Sequence, residues 1–315
     1  MSHAQTSDTR SPFSVIIPTL NGAEQLQELL SSFRIQTVRP HEVLVIDSSS
    51  SDDTVQVAKR YGAQVLVIDR DDFDHGGTRT MAARRTQAEY LVFFTQDVLP
   101  AHRSVLENLI QPLIADSTIG VSYGRQLPCF DASEIARHLR LFNYPAKSQL
   151  RDFADRSHLG LSTVFASNSC AAYNKKLLSD VGFFRDDLIF GEDTCAVGRL
   201  LESGHKVAYV SDAAVYHSHN YSWSEEFKRY FDIGVLHSTE KWLLDTYGNA
   251  ENRGVNYIKS GVSYLASRRN YSLICDFMVR VVLKFIGYRL GRRYSWLPDK
   301  IVPEISMHQK WWRKS

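Results

Sequence analysis

Four short apolar runs open this chain, and the way each one ends limits what it can fold into. Phe13–Pro18 (FSVIIP), Glu42–Asp47 (EVLVID), Gln64–Ile68 (QVLVI) and Tyr90–Thr95 (YLVFFT) are rich in branched and aromatic side chains, the pattern of strands buried on both faces. Helical spacings lie between them. Leu26, Leu29, Leu30 and Phe33 follow Asn21-Gly22; a helix to about Tyr61 follows the N-cap candidates Ser48–Asp53; a third helix is predicted over Thr78–Ala88. This alternation predicts an α/β fold with a mostly parallel sheet and helices on both faces. In such sheets ligands bind beyond the carboxyl ends of the strands. The noteworthy polar residues of the first hundred positions gather there: Thr19, Asn21, Asp47, the loop Asp71–Arg79, and Asp97.

Farther on, the pattern predicts helix 104–115, strand 119–126, an aperiodic excursion over 129–165, a strand over Ser162–Tyr173, helix 192–203 and strand 206–210. From Tyr221 the spacing is helical nearly to the end. Three parts follow: an extended or disordered N-terminus (1–12), a catalytic α/β domain (13–220) and a mainly helical C-terminal extension (221–315). Overall charge is only +2, but eleven Lys/Arg against three acids from Arg268 onward make the tail +8 and leave −6 on the rest. Residues 272–293 mix apolar positions with Arg280, Lys284, Arg289, Arg292 and Arg293, which predicts a basic amphipathic helix suited to an anionic membrane surface. Trp311-Trp312 beside Arg313 and Lys314 would anchor at headgroup level. No basic patch is interleaved with stacking aromatics, which argues against nucleic acid as a partner. The polar N-terminus lacks a signal-peptide core, no apolar run reaches membrane-spanning length, and the four cysteines show no metal or redox spacing. A cytoplasmic protein, or one peripheral on the inner face of the cytoplasmic membrane, is expected.

Several constellations carry chemistry. Asp47, ending a buried strand, can accept a pyrimidine imide N–H or cap the following helix. In Asp71–Arg79 (DDFDHGGTR), Gly76-Gly77 let backbone approach a ligand, and Thr78-Arg79 open a helix whose free N–H groups suit phosphate or ribose oxygens; a tight turn with a solvated charge cluster is the plainer reading. Asp97 can hold a divalent cation whose other oxygen ligands come from a diphosphate. Glu192-Asp193 start a helix, where acids are favoured electrostatically and a carboxylate can also deprotonate a hydroxyl. His217 and His219 fall on one side of an extended segment, and imidazole is a competent metal ligand.

Taken together, VIIPTLNG, VIDSSSSDDT, the acid-bearing strand end at Asp97 and FGED resemble glycosyltransferase family 2 over roughly residues 13–240. FDHGGTR, FFTQD and FGEDT resemble its bacterial rhamnosyltransferase subgroup, which builds O-antigen and other surface polysaccharides. The resemblance implies a GT-A-type fold and inverting transfer of a sugar, L-rhamnose from dTDP-L-rhamnose, to a saccharide or lipid-linked saccharide acceptor. It makes Asp193 the catalytic base with Glu192 its neighbour. Pro18, Thr19, Asn21, Asp47, His75, Gly76, Gly77, Arg79, Gln96 and Asp97 become the nucleotide-sugar site, with Asp97 and His217 holding Mg2+ or Mn2+. The chain departs from the family pattern at Gln96, where an acid is usual. Two rivals stand beside this reading: a family 2 transferase using a UDP-sugar, and a non-catalytic nucleotide-sugar-binding subunit.

Overall fold

The computed structural model describes residues 13–249 and 251–314; the expectation for the N-terminal segment falls outside them. The first half alternates as the apolar runs dictate: β1 (Phe13–Thr19), α1 (Ala23–Phe33), β2 (Glu42–Asp47), α2 (Thr54–Arg60), β3 (Gln64–Val67), α3 (His75–Arg85) and β4 (Tyr90–Phe94). These four strands pair in parallel in the order β3-β2-β1-β4. Then come β5 (Leu99–Pro100), α4 (Val105–Ala115), β6 (Ile119–Leu127), α5 (Glu134–Asn143), β7 (Gln149–Arg151) and α6 (Arg156–Leu159). The sheet is completed by β8 (Cys170–Asn174), α7 (Lys175–Asp180), α8 (Glu192–Glu202) and β9 (Lys206–Tyr216). β8 runs antiparallel between β4 and β6, and β6 pairs in parallel with β9, which also carries β5 and β7 on antiparallel pairings.

One apolar layer, with Leu26, Leu29, Val57, Leu106 and Leu109, fills the face under α1, α2 and α4. The opposite face packs Ile16, Phe93 and Tyr173 against Leu178, Phe184 and Leu200. The central strands β1 and β4 are buried on both sides, so their side chains need no polar face, whereas the edge strand β3 is partly exposed.

Four elements differ from the sequence expectation. α3 begins at His75 rather than Thr78, because Asp74 accepts hydrogen bonds from Gly76 N and Gly77 N and caps the helix. Ser162–Tyr173 is not one strand: Gly160–Val164 turns as a 3-10 helix, and only Cys170–Asn174 is extended. The supposedly aperiodic 129–165 contains α5, capped by Ser133. Strand 206–210 continues to Tyr216.

Beyond β9, a capping box between Ser222 and Glu225 starts α9 (Trp223–Thr239). α10 (Lys241–Tyr247), α11 (Glu251–Ser267), α12 (Tyr271–Gly291) and α13 (Trp311–Lys314) follow. α12 lies along α9 with almost no side chains between the two backbones. A Cβ on Gly291 would strike the Phe231 carbonyl, one on Gly234 the Tyr288 carbonyl and one on Gly287 the Phe227 carbonyl. These helices are not a free appendage: Phe231, Val235, Leu236 and Leu243 share a core with Leu188, Ile189 and Cys195 of the catalytic part.

α12 also reverses the usual polarity of a surface helix. Its charged residues Arg280 and Lys284 point inward to Glu226, at 3.3 and 2.9 Å. Met278, Val279, Val282, Phe285 and Ile286 face outward, with Phe285 64% exposed. Trp311 and Trp312, expected as headgroup anchors, instead turn inward. The Trp311 indole N–H donates to the Asp187 carbonyl, and the Trp312 ring packs on Phe231 and Tyr294.

Candidate active site

At the carboxyl ends of β1 and β2 the chain ties itself together. Asp47 is fully buried; its Oδ1 accepts from the Thr19 and Ser50 hydroxyls at 3.1 and 2.6 Å, and its Oδ2 from Ser50 N at 2.8 Å. Asn21, at a positive φ of 46°, accepts from Ser51 N. Asp47 therefore fixes the loop that follows it. Gln96 is similarly occupied: its Oε1 accepts from Leu20 N at 2.9 Å and its Nε2 donates to Leu20 O at 3.1 Å. A carboxylate could make only the first of these bonds, which accounts physically for an amide at this position.

The glycine loop also has a different role from the one expected. The Gly76 and Gly77 N–H groups are taken by Asp74, so the start of α3 offers no free anion site. Gly76 is glycine because the Arg185 carbonyl lies where a side chain would begin. Arg79 is buried; its Nη1 donates to the His75 carbonyl and pairs with Glu192 at 3.1 Å.

Asp97 and the histidines do meet. His217 Nε2 lies 3.3 Å and His219 Nε2 3.8 Å from Asp97 Oδ2, and the ligand atoms of all three lie within 4.8 Å of one another. Gln126 decides how His217 can act. Its Oε1 accepts from Arg140 Nη1 at 2.8 Å, which identifies that atom as oxygen because guanidinium can only donate. His217 Nδ1, 3.0 Å from the same oxygen, must then carry a proton, and Nε2 of the neutral ring has a lone pair aimed at a carboxylate. Two acceptors at that separation require a proton or a cation between them, and one carboxylate with two imidazoles is a donor set that can hold a divalent metal ion. Burial opposes ionisation of Asp97, but the hydrogen bond and charge of His217, with Thr95 and His219, hold it below the usual carboxylate range. Burial, then the charge of His217, pushes His219 down to about 4.

The Glu192-Asp193 pair divides its labour. Gly191 enters α8 in the left-handed region at φ 82°, turning both acids toward the sheet. Burial opposes charge on Glu192, and Arg79, His75 and the Asn168 amide, 3.0 Å away, overcome it. Asp193 accepts from Thr194 N at 2.7 Å and Asn168 N at 3.2 Å. Burial first, then the neighbouring Glu192 charge, raises its pKa to about 6. One carboxylate is thus held charged while the other is made more basic.

A cavity of about 610 Å3 is lined by Asp97, His217, His219 and Asp193 together with His75, Arg140, Arg229 and Lys284. Thr19, Asn21, Asp47 and Gln96 lie outside its lining. Gln126, Asn168 and Arg140 were not singled out from the sequence. They sit in segments without motif spacing, and only the chain's path to a shared hydrogen-bond partner reveals them.

The model of the family described as "Glycosyl transferase family 2" matches residues 14–182. The chain is 36% identical over 302 residues to the O-antigen chain rhamnosyltransferase WbaN of Salmonella anatum, covering 95% of both chains. It is 37% identical over 300 residues to the O-antigen chain rhamnosyltransferase RfbN of Salmonella typhimurium, again covering 95% of both. The chain belongs to glycosyl transferase family 2. Among solved structures, this glycosyltransferase is similar to the mannosyltransferase PcManGT from Pyrobaculum calidifontis in complex with GDP-Man and Mn2+. The TM-score is 0.62 at 17% identity, covering 89% of this chain and 86% of that one. That likeness establishes the GT-A-type fold of this family 2 enzyme.

Proposed function

We propose that this glycosyltransferase moves L-rhamnose from dTDP-L-rhamnose to a hydroxyl of a lipid-linked saccharide, with inversion, in surface polysaccharide synthesis. The observation that carries the reading is the single cavity shared by Asp97, His217 and Asp193; the sugar and the pathway rest on the names of the full-length relatives. The nucleotide lies over the strand ends at Pro18, Thr19 and Asn21. Asp47, Gln96, Gly76, Gly77 and Arg79 hold the loops around it rather than spending their polar groups on it.

Asp193 takes the proton of the acceptor hydroxyl. As it does so, the hydroxyl oxygen forms its bond to the anomeric carbon, and the bond from that carbon to the diphosphate oxygen breaks on the opposite face. The electron pair leaves with the nucleoside diphosphate. Asp97 and His217, with His219 adjoining, would hold a Mg2+ or Mn2+ ion, which would supply Lewis-acid stabilisation of the leaving group. Arg140 and Arg229 give the same cavity a positive wall. Glu192 stays charged against Arg79 and keeps Asp193 basic.

The catalytic part ends near residue 220, just before the Ser222 cap, and the helical part from 221 rests on the cytoplasmic membrane face through the outward stripe of α12. No helix among the described residues is long and apolar enough to cross a membrane.

Turnover with dTDP-L-rhamnose, Mn2+ and extracted lipid-linked glycan tests the proposal, with loss on adding EDTA expected. The dTDP-sugar should also raise Tm more than UDP-sugars do, since stabilisation grows as RT ln(1 + [L]/Kd). A larger shift and turnover with a UDP-sugar would replace the donor. Tight donor binding without turnover on any glycan would make the chain a binding subunit.

A further inference from the structure

A second cavity, about 600 Å3, lies on the other side of His75 from the catalytic one, between the loop after β3, residues 187–189 and the C-terminal segment 307–311. Nothing in the mechanism uses it, and its construction is particular. The C-terminal segment is strapped down at four points. Met307 N donates to Asp232 at 2.9 Å, and the His308 ring stacks on Phe190 and meets His75 edge-on. Lys310 pairs with Asp71 at 2.6 Å, and the Trp311 indole N–H donates to the Asp187 carbonyl at 3.0 Å. Phe190 directly precedes the Gly191-Glu192-Asp193 turn, so the strap and the base share a support.

We propose that this second cavity holds the acceptor glycan: neutral sugar rings beyond the one whose hydroxyl reaches Asp193. The inference rests on the glycosyltransferase reading and assigns a place to its acceptor. Phe73 and Trp311 offer flat apolar surface, and Asp187 brings a carboxylate to the same walls, beside Asp71, which pairs with Lys310, and Asp74, whose Oδ1 caps α3. Carboxylates accept hydrogen bonds from sugar hydroxyls and repel phosphate. Three carboxylates against two cations, Arg70 and Lys310, leave the lining with one net negative charge, and burial lowers the pKa of His75 and takes that of His308 down to about 4. The catalytic cavity sets Arg140, Arg229, Arg253 and Lys284 against Asp97, Asp193 and Glu226, an excess of one cation. The two chambers therefore sort one substrate pair by charge: diphosphate on one side of His75, uncharged saccharide on the other.

The test is direct binding of the glycan released from its lipid by mild acid, followed by saturation-transfer NMR and calorimetry on the full chain without donor. Asp187→Asn keeps the shape of the segment and the carbonyl that holds Trp311, and it should weaken glycan binding about tenfold, the worth of one charge-assisted hydrogen bond. Trp311→Ala should weaken it at least as much. Both variants should keep the wild-type Tm shift with dTDP-L-rhamnose. Unchanged glycan affinity in Asp187→Asn, or saturation-transfer contacts confined to rings bound in the Arg140 cavity, would overturn the assignment. Glycan binding that depends on Asp187 in an enzyme that ignores dTDP-L-rhamnose would leave this inference standing and remove the donor.

Discussion

At the scale of single residues, the acids of this site are separated by what surrounds them rather than by type. Asp193 and Glu192 are adjacent, yet Arg79 and Asn168 stabilise charge on one, and that charge raises the pKa of the other to about 6. The base must be deprotonated to work, so kcat/KM is expected to be full above this value and to fall about tenfold per pH unit below it. Asp193→Asn should lower kcat by about 10²–10⁴-fold with donor affinity retained; an Asn variant with near-normal kcat and the same acid limb would remove Asp193 from the role. The sequence made Asp97, Asp193 and His217 visible because each sits at the end of a regular element beside a recognisable motif. It misjudged how Asp47, Gln96, Gly76 and Arg79 spend their polar groups, because sequence position gives no sign of whether Ser50, Leu20 or Glu192 has already taken them. Gln126 has no local signal at all: its meaning depends on Arg140, which identifies its oxygen.

Among the elements, the parallel half was legible because buried strands tolerate little but branched and aromatic side chains. The antiparallel β8 was not, since Cys170–Asn174 is short and follows a turn that also reads as apolar. The start of α3 was missed for a related reason: an Asp two residues ahead of a glycine pair resembles a ligand loop until its cap bonds are seen. The α9–α12 pair is held by contact between backbones, so its tolerance for added volume is low. Gly291→Val should destabilise the protein by roughly 1–3 kcal/mol through forced separation of the two helices, a drop of several degrees in Tm. Calorimetry beside Gly254→Val, where a Cβ meets nothing within 4 Å, separates crowding from the lower helix propensity of valine. Equal losses in the two would refute close packing as the cause.

Across the whole molecule, the helical part closes the catalytic cavity, contributes Arg229 and Lys284 to its wall and supplies the strap near residue 308. Helical spacing from Tyr221 onward foretold the helices. It did not foretell that α12 would bury charge and expose Val282, Phe285 and Ile286, because spacing defines two faces without saying which one meets the protein. An exposed apolar stripe bordered by Arg289 and Arg293 is suited to an anionic bilayer. Sedimentation with vesicles containing phosphatidylglycerol should show binding that weakens in high salt and is largely lost in Phe285→Glu. Equal sedimentation of that variant, or none by the wild type at low salt, would count against the membrane face. The inward-facing Lys284 then sets a limit on reach. A single helix, about 10–12 Å across, separates that stripe from the chamber where Lys284 ends. With the stripe seated on a bilayer and a lipid-linked acceptor, as proposed, a growing polymer would be extended here only while its receiving residue is still close to the headgroups, at an early step of chain growth.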